Sequence, residues 1–429
     1  MSGPADPSPG PARQREIYLR GVSGDRPAVP ALGDALEHGA ARAMTPQAWA
    51  YISGGAGRGS TMRANRDAFE RWRIVPRVLR DVSTRDLSIN LLGSVLPAPI
   101  LLAPIGVLEA AHPDADLAVA RAARATGAAM IFSNQASVPM EECARELGST
   151  PRWFQLYWST SNELVASFVH RAEMCGCGAI VLTLDTTMLG WRTCDLDLAW
   201  LPFLRGMGIA QYTSDPVFRM QLDESPAAPV APATPAAKPR VNLASLGVVR
   251  QLSRRGRRAG LSSGRMRRAV QHFITSYSRP SLTWTDLPLL RGMTTLPLVV
   301  KGIQRADDAR RAVDDGVNAI VVSNHGGRQV DGAVGSLDVL PGIADAVAGR
   351  VPVLFDSGIR SGADVFKALA LGATAVLLGR PYAYGLAMAG EAGVREVIQN
   401  VTAELDLTLG LAGYASVRDL SRDAVVRIP

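Results

Sequence analysis

A repeating rhythm that begins near residue 98 constrains this chain more than any other feature. Short apolar segments rich in Val, Ile and Leu alternate with helical patterns. The segments are APILLAPIG (98–106), AAMIFSN (128–134), WFQLYW (153–158), AIVLTLD (179–185), PLVVKGI (297–303), AIVVSNH (319–325), PVLFDSG (352–358) and AVLLGR (375–380). Near-continuous apolarity over so few residues suits strands buried on both faces, which are parallel strands. The intervening stretches, such as HPDADLAVARAARATG and SGADVFKALALG, open near Asp, Ser or Pro and stop at Gly, as helix ends do. Eight such units predict an α/β fold of the (β/α)8 TIM-barrel type. A doubly wound sheet is the competing architecture, but no Gly-rich dinucleotide turn follows the first strand.

One interval breaks the rhythm. After strand four comes a long insertion, 193–280, whose middle (DESPAAPVAPATPAAKPR) predicts an extended, mobile linker. Eight arginines and no acid follow between Arg250 and Arg268, and removing them takes the formal charge from +7 to about −1. The basic character therefore belongs to one segment, and the chain as a whole does not read as a nucleic-acid binder. An insertion at this point leaves from the C-terminal face of the barrel, where it can act as a lid. Residues 1–15, rich in Pro, Gly and Ser, predict a disordered tail, which makes 16–429 the barrel domain. MTPQAWAYISGGAG predicts a short helix begun by Thr45 with Pro46 in its first turn. Cys143, Cys175, Cys177 and Cys194 form no zinc pattern, so no metal is expected. With no signal-like apolar region and no spanning run of about 18 residues, the expected setting is cytoplasmic, with reduced thiols.

Active sites of barrels are built at the C-terminal ends of the strands. Here those ends read Gly106, Ser133, Tyr157, Asp185, Lys301, His325, Asp356 with Gly358, and Gly379 with Arg380. A barrel built for packing alone has no need of such a polar rim. Gly358 and Gly362 precede one helix and Gly379 and Arg380 open another, which predicts a phosphate site after strands seven and eight. Lys301 has two readings: a fixed cation beside a cofactor, or a Schiff-base amine as in barrel aldolases. His325 suits a general base, since its ordinary pKa lies near neutrality. Asp185 can orient that ring and stabilise its protonated form. Arg328 offers a planar fork for a carboxylate, and Gly326 and Gly327 leave room for a small substrate.

SNHGGRQVDG, DSGIRSGADVFKALALGATAVLLGRP, QLY at 155–157, TLDT at 183–186 and the LGWR ending at Arg192 together resemble the FMN-dependent L-2-hydroxy acid oxidase and dehydrogenase family. The resemblance runs from about residue 40 to 425, apart from most of the insertion. It implies FMN as cofactor and a small L-2-hydroxy acid as substrate, oxidised to the 2-oxo acid. His325 would be the base and Asp185 its partner. Tyr51, Arg192 and Arg328 would serve the substrate carboxylate, and Tyr157 the hydroxyl. Pro104, Ile105, Gly106, Ser133, Gln155, Thr183, Lys301 and Ser323 would surround the flavin ring and ribityl chain. Asp356, Gly358, Arg360, Gly379 and Arg380 would hold ribityl and phosphate. LLAPIGV, FLRG and PSLTWTDLPLLRG are most similar to the lactate 2-monooxygenase branch, which implies oxygen as acceptor and oxidative decarboxylation. A dehydrogenase passing electrons to a quinone or protein is the alternative. Gly106 replaces the alanine of many relatives, and FSNQAS places Gln135 near the pocket. The resemblance also implies a homo-oligomer, a tetramer or larger. Some relatives use an insertion here to contact membrane, and a solvated arginine tract is the competing reading.

Overall fold

The computed structural model describes residues 8–31, 33–224 and 243–428. Eight parallel strands close into a barrel: β1 (Ile100–Leu102), β2 (Ala129–Phe132), β3 (Arg152–Leu156), β4 (Ile180–Thr183), β5 (Leu298–Ile303), β6 (Ala319–Val322), β7 (Val353–Phe355) and β8 (Ala375–Leu378). Neighbours pair in chain order, and β8 closes on β1 with Leu377 opposite Leu101. Seven of these strands fall wholly inside the apolar segments of the sequence, and β3 begins one residue before its segment. Almost every strand residue is buried, because the barrel interior covers one face and a helix covers the other.

The helices between strands start and stop where local chemistry tells them to. Ser161 accepts the N–H of Leu164 to open Asn162–Met174, and Ser361 accepts that of Asp364 to open Gly362–Ala370. Gly127, with φ of 71°, ends Ala115–Thr126 in the left-handed region that glycine tolerates. After β8 a long helix, Arg380–Leu411, runs along the outside of the barrel and breaks its regular geometry at Ala389 and Gly390.

Two expectations from sequence need correction. Disorder over 1–15 does not hold from Pro9 onward, because Pro9–Val22 is a helix packed on the long C-terminal helix. Gly10 donates its N–H to Asp406 at 3.0 Å and Arg13 donates to Asn400 at 3.0 Å, partners nearly 400 residues away. Pro and Gly composition suggested disorder, yet proline fits a first helical turn and glycine permits this close approach. Residues 1–7 lie outside the described residues.

The second correction concerns the insertion. Most of the Pro/Ala-rich linker, 225–240, lies outside the described residues, and its first two residues close the helix Pro216–Glu224. The arginine stretch, expected within a mobile loop, forms part of two helices, Leu243–Arg258 and Ser263–Ser276. Its apolar residues recur at helical spacing, and Leu252, Met266, Ala269, Val270 and Phe273 are buried. Phe273 packs on Tyr212 and Phe203, with ring centroids 4.8 and 5.1 Å apart. Arg255 forms an ion pair with Glu109, just after β1, which ties the pair of helices to the barrel rim. Among the described residues no helix is long and apolar enough to cross a membrane, and no cluster of residues could hold a metal ion.

Candidate active site

A cavity of about 1130 Å³ opens at the C-terminal mouth of the barrel. Side chains from the end of every strand and from the insertion line it, including Gly106, Gln155, Tyr157, Thr183, Lys301, His325, Asp356 and Gly379.

His325 is delivered to this cavity by an unusual turn. His325, Gly326 and Gly327 follow β6 with φ of 57°, 64° and 75°. Three left-handed residues in a row reverse the chain, and a histidine accepts that strain only where its surroundings fix it. Serines supply the fixing: the His325 N–H donates to Ser323 Oγ at 3.0 Å and the Gly326 N–H to Ser357 Oγ at 3.0 Å. Asn324 exchanges two amide hydrogen bonds with Asn65, at 2.7 and 2.8 Å, and pins the turn from behind. The glycines are required, since a Cβ on Gly327 would stand 2.8 Å from the backbone nitrogen of Met62.

The ring that emerges is held by one nitrogen. His325 Nδ1 lies 2.7 Å from Asp185 Oδ1 and 3.1 Å from Thr186 Oγ1, which leaves Nε2 for a substrate. Burial lowers the His325 pKa. Asp185 opposes that shift, and Lys301 and Arg192 add to it. The imidazole is therefore neutral at pH 7 and can accept a proton. Burial raises the Asp185 carboxyl, but His325, Lys301 and the hydroxyl of Thr186 outweigh it and hold the pKa at about 2. A neutral ring backed by a fixed carboxylate is the arrangement a general base needs.

Lys301 sits beneath this pair. Strand β5 has an irregularity between Lys301 and Ile303. Gly302 there (φ 108°) lets Asp185 come close, for a Cβ would meet Asp185 Cβ at 2.8 Å. Lys301 Nζ consequently reaches Asp356 at 2.9 Å, Ser323 at 2.7 Å and Asp185 at 3.8 Å. Burial would neutralise the ammonium, but Asp356 and Asp185 more than compensate and its pKa is raised. A lysine kept protonated by two carboxylates is a fixed cation and a poor Schiff-base nucleophile, which counts against the aldolase reading.

Two guanidinium groups in the cavity, those of Arg328 and Arg380, hydrogen-bond to carbonyls and not to acids. Arg328 donates to the carbonyls of Tyr51 and Gly54 at 2.6 and 2.9 Å. Arg380 donates to those of Ile52, Gly326 and Gly54. Burial and neighbouring Arg192 pull Arg328 down to about 9, and burial lowers Arg380 as well. Buried cations stacked this closely favour anions, and they do so in two places. Arg192 and Arg328 flank the Tyr51 ring, 5.8 and 5.1 Å from its centre, on the substrate side. Arg380 and Arg360 lie with Gly358 and Gly379 at the helix starts after β7 and β8.

Two buried polar atoms between these poles have no hydrogen-bond partner among the described residues, Gln155 Nε2 and Thr183 Oγ1. With the Lys301 ammonium they offer two donors and a hydroxyl to a flat heteroaromatic edge. The donor set fits a flavin mononucleotide, whose ring Gln155, Thr183 and Lys301 would hold and whose phosphate Arg360, Arg380, Gly358 and Gly379 would hold.

Of the residues singled out from sequence for the site, Asp185, Ser133, Ser323, Gly327 and Gly362 stand behind the cavity wall, and the others line it. Ser133 faces Gln155 Oε1 at 3.5 Å, and Ser323 receives Lys301. Pro104 and Ile105 line the wall beside Gly106. Sequence reasoning missed Thr186, whose signal was only a hydroxyl beside Asp185. It also missed Asp195, which is buried near Arg192 and Arg328 and has one oxygen unpartnered among the described residues. Phe203 and Tyr277 of the insertion complete the wall. Asp331, in the same motif as His325, takes no part in the cavity. It caps the helix Ser60–Glu70, accepting from Ser60 N and Oγ at 2.7 and 2.6 Å.

Comparison with known proteins agrees with this geometry. The family model for FMN-dependent dehydrogenase matches residues 40–427. An FMN-dependent alpha-hydroxy acid dehydrogenase of Penicillium citrinum is 40% identical over 97% of this chain and 95% of its own. An L-lactate oxidase of Lysinibacillus sphaericus is 38% identical over 96% of each chain. Among solved structures, mandelate oxidase with (S)-4-hydroxymandelic acid is similar at a TM-score of 0.74 and 36% identity, over 91% of this chain and 97% of that one. The chain belongs to the family of FMN-dependent 2-hydroxy acid oxidases and dehydrogenases, enzymes that oxidise L-2-hydroxy acids to 2-oxo acids.

Proposed function

We propose that this enzyme oxidises a small, lactate-like L-2-hydroxy acid and uses molecular oxygen as the final acceptor. The observation that carries the reading is the neutral His325, bonded to Asp185 at 2.7 Å, in one cavity with the Arg192–Tyr51–Arg328 cluster. Similarity to an L-lactate oxidase along nearly the whole chain supports the acceptor.

FMN, when bound, supplies the two-electron acceptor. The protein's own groups do the rest. Arg328, with Arg192 and the Tyr51 hydroxyl, binds the substrate carboxylate and fixes which face of carbon 2 is presented. Tyr157 bonds the 2-hydroxyl; burial, Asp185 and Tyr51 keep its phenol protonated, so it donates. His325 takes a proton from the substrate at Nε2. Asp185 steadies the resulting imidazolium through Nδ1, and Thr186 holds Asp185 from the side at 2.9 Å. Lys301 places a permanent positive charge beside the electron-accepting ring. Phe203 and Tyr277 of the insertion add an aromatic wall beside the substrate.

A second reading, oxidative decarboxylation as in lactate 2-monooxygenase, draws on that wall, because a 2-oxo acid retained against it meets the oxygen-derived oxidant before it escapes. Product analysis in air separates the readings. Pyruvate with one equivalent of hydrogen peroxide supports the oxidase, and acetate with carbon dioxide and no peroxide supports the monooxygenase. Reduction by L-lactate with no reoxidation by oxygen refutes both and leaves a dehydrogenase.

A further inference from the structure

The polar side chains around the cavity are accounted for by substrate carboxylate and hydroxyl, flavin ring, phosphate or one another, with Gln135 and the Tyr277 hydroxyl left over. Gln135 lines the cavity and is buried, yet no described residue hydrogen-bonds its side-chain amide. Its backbone is fixed on both sides. The N–H donates to Ser133 Oγ at 3.1 Å, and the carbonyl accepts from Val107 at 2.9 Å. The point from which the side chain enters the cavity is thus fixed, and its amide is left for a partner that the described residues do not supply.

Its surroundings show what that partner can be. A Cβ on Gly106 would stand 2.9 Å from Gln135 Cβ and 3.5 Å from its Oε1, so the glutamine uses the room that a side chain at 106 would take. A Cβ on Gly208 would meet both the Gln135 carbonyl, at 3.0 Å, and Phe203 Cε1, at 3.3 Å, which puts Gln135 against the insertion wall. That wall is mainly apolar and aromatic: Ile105, Leu189, Phe203 and Tyr277 line the cavity there, with the Tyr277 hydroxyl as its polar group and no cation or carboxylate among the four. Phe203 in turn packs edge-on against Tyr51, 6.3 Å between ring centres. A substrate whose carboxylate is held at Tyr51 therefore lies beside the wall that carries Gln135.

We infer that Gln135 is a specificity-determining residue, and that the preferred L-2-hydroxy acid carries a neutral hydrogen-bonding group, a hydroxyl or amide, on its side chain. This rests on the 2-hydroxy acid reading and narrows its substrate class. A carboxamide both donates and accepts, so it matches a hydroxyl or another amide without favouring a charge. A purely apolar side chain covers the cavity-facing amide without pairing it, which is the circumstance in which a site rejects an analogue lacking the polar group.

The test compares kcat/KM for two pairs of acids, L-lactate against L-glycerate and (S)-mandelate against (S)-4-hydroxymandelate. The comparison is made with the wild-type holoenzyme, with Gln135→Leu and with the volume-matched Gln135→Met. The expected result is a preference of ~10-fold or more for the hydroxylated member of at least one pair. Both variants should reduce that preference to within about threefold, which the ratio reads independently of any general loss of activity. Equal turnover of both members of both pairs by the wild type, or a preference that survives in the variants, overturns the inference. Failure of every acid to reduce the wild-type flavin overturns the proposed function instead, and this inference with it.

Discussion

Replacing Asp185 by Asn removes one charge and almost nothing else. The Asn carbonyl can still accept from His325 Nδ1 across the 2.7 Å gap, and Thr186 still lies 3.1 Å from that nitrogen, so the ring stays oriented. What disappears is the attraction between carboxylate and imidazolium once the ring has taken its proton. With the ring charge spread over two nitrogens, the mean separation is about 4 Å, worth ~4 kcal/mol at an effective dielectric constant of about 20. If about half that charge has developed in the transition state, ~2 kcal/mol is lost, and the full charge sets the limit near ~4 kcal/mol. At 1.36 kcal/mol per decade, flavin reduction should slow by ~30- to ~1,000-fold. Anaerobic stopped-flow reduction by L-lactate, followed through the flavin absorbance, measures this directly. The pH profile provides a second check. Asp185 raises the His325 pKa, so its neutralisation lowers that pKa further, and the acid limb of kcat/KM should move to lower pH while the plateau falls. Lys301 keeps Asp356 at 2.9 Å, so FMN should remain bound. A plateau within threefold of wild type, or an acid limb displaced upward, would refute the reasoning.

Three further outcomes follow from the same geometry. Lys301→Met strands Asp185 and Asp356 without their shared cation, so unfolding by urea should show a loss of ~3–5 kcal/mol together with weakened flavin retention on gel filtration. Gly106→Ala has no backbone penalty but drives a methyl to 2.9 Å from Gln135 Cβ, well inside contact distance. A cost of ~1–3 kcal/mol in thermal unfolding is expected, and an unchanged melting temperature would contradict the crowding. The Asp185 carboxyl, at about 2 when folded against an ordinary value of 3.8, contributes stability above pH 4 that is lost as pH falls toward 2. His325, lowered on folding, adds a loss that begins below its ordinary value of 6.5. Acid unfolding of His325→Gln should therefore lack the part of the decline that lies between pH 6.5 and 4.

The barrel was legible because strands buried on both faces leave an unbroken apolar signature, and each of the eight carried one. Legibility extended to His325, Lys301, Asp185 and Arg380 for a related reason: polar groups at the ends of such strands have no packing role to explain them. Tyr51, Gln155 and Thr183 gave no such signal, and only the family resemblance pointed to them. Long-range partnerships left no local trace at all. Asn65 and Asn324 meet across 259 positions, and Asp331 caps a helix some 270 residues earlier. The N-terminal helix was misread because its composition signals disorder, while its stability comes from Asn400 and Asp406 at the other end of the chain. In the insertion, the density of arginine obscured an apolar stripe at helical spacing that buries against Phe203 and Tyr212.

The most direct test of the account is anaerobic reduction of His325→Ala by substrate. The ring holds no cofactor phosphate, and Lys301, Gln155, Thr183 and Arg380 remain, so the variant should purify with its ~450 nm flavin band and be reduced by L-lactate at least ~100-fold more slowly than wild type. Near-normal reduction would contradict the account, because proton removal would then belong to another group.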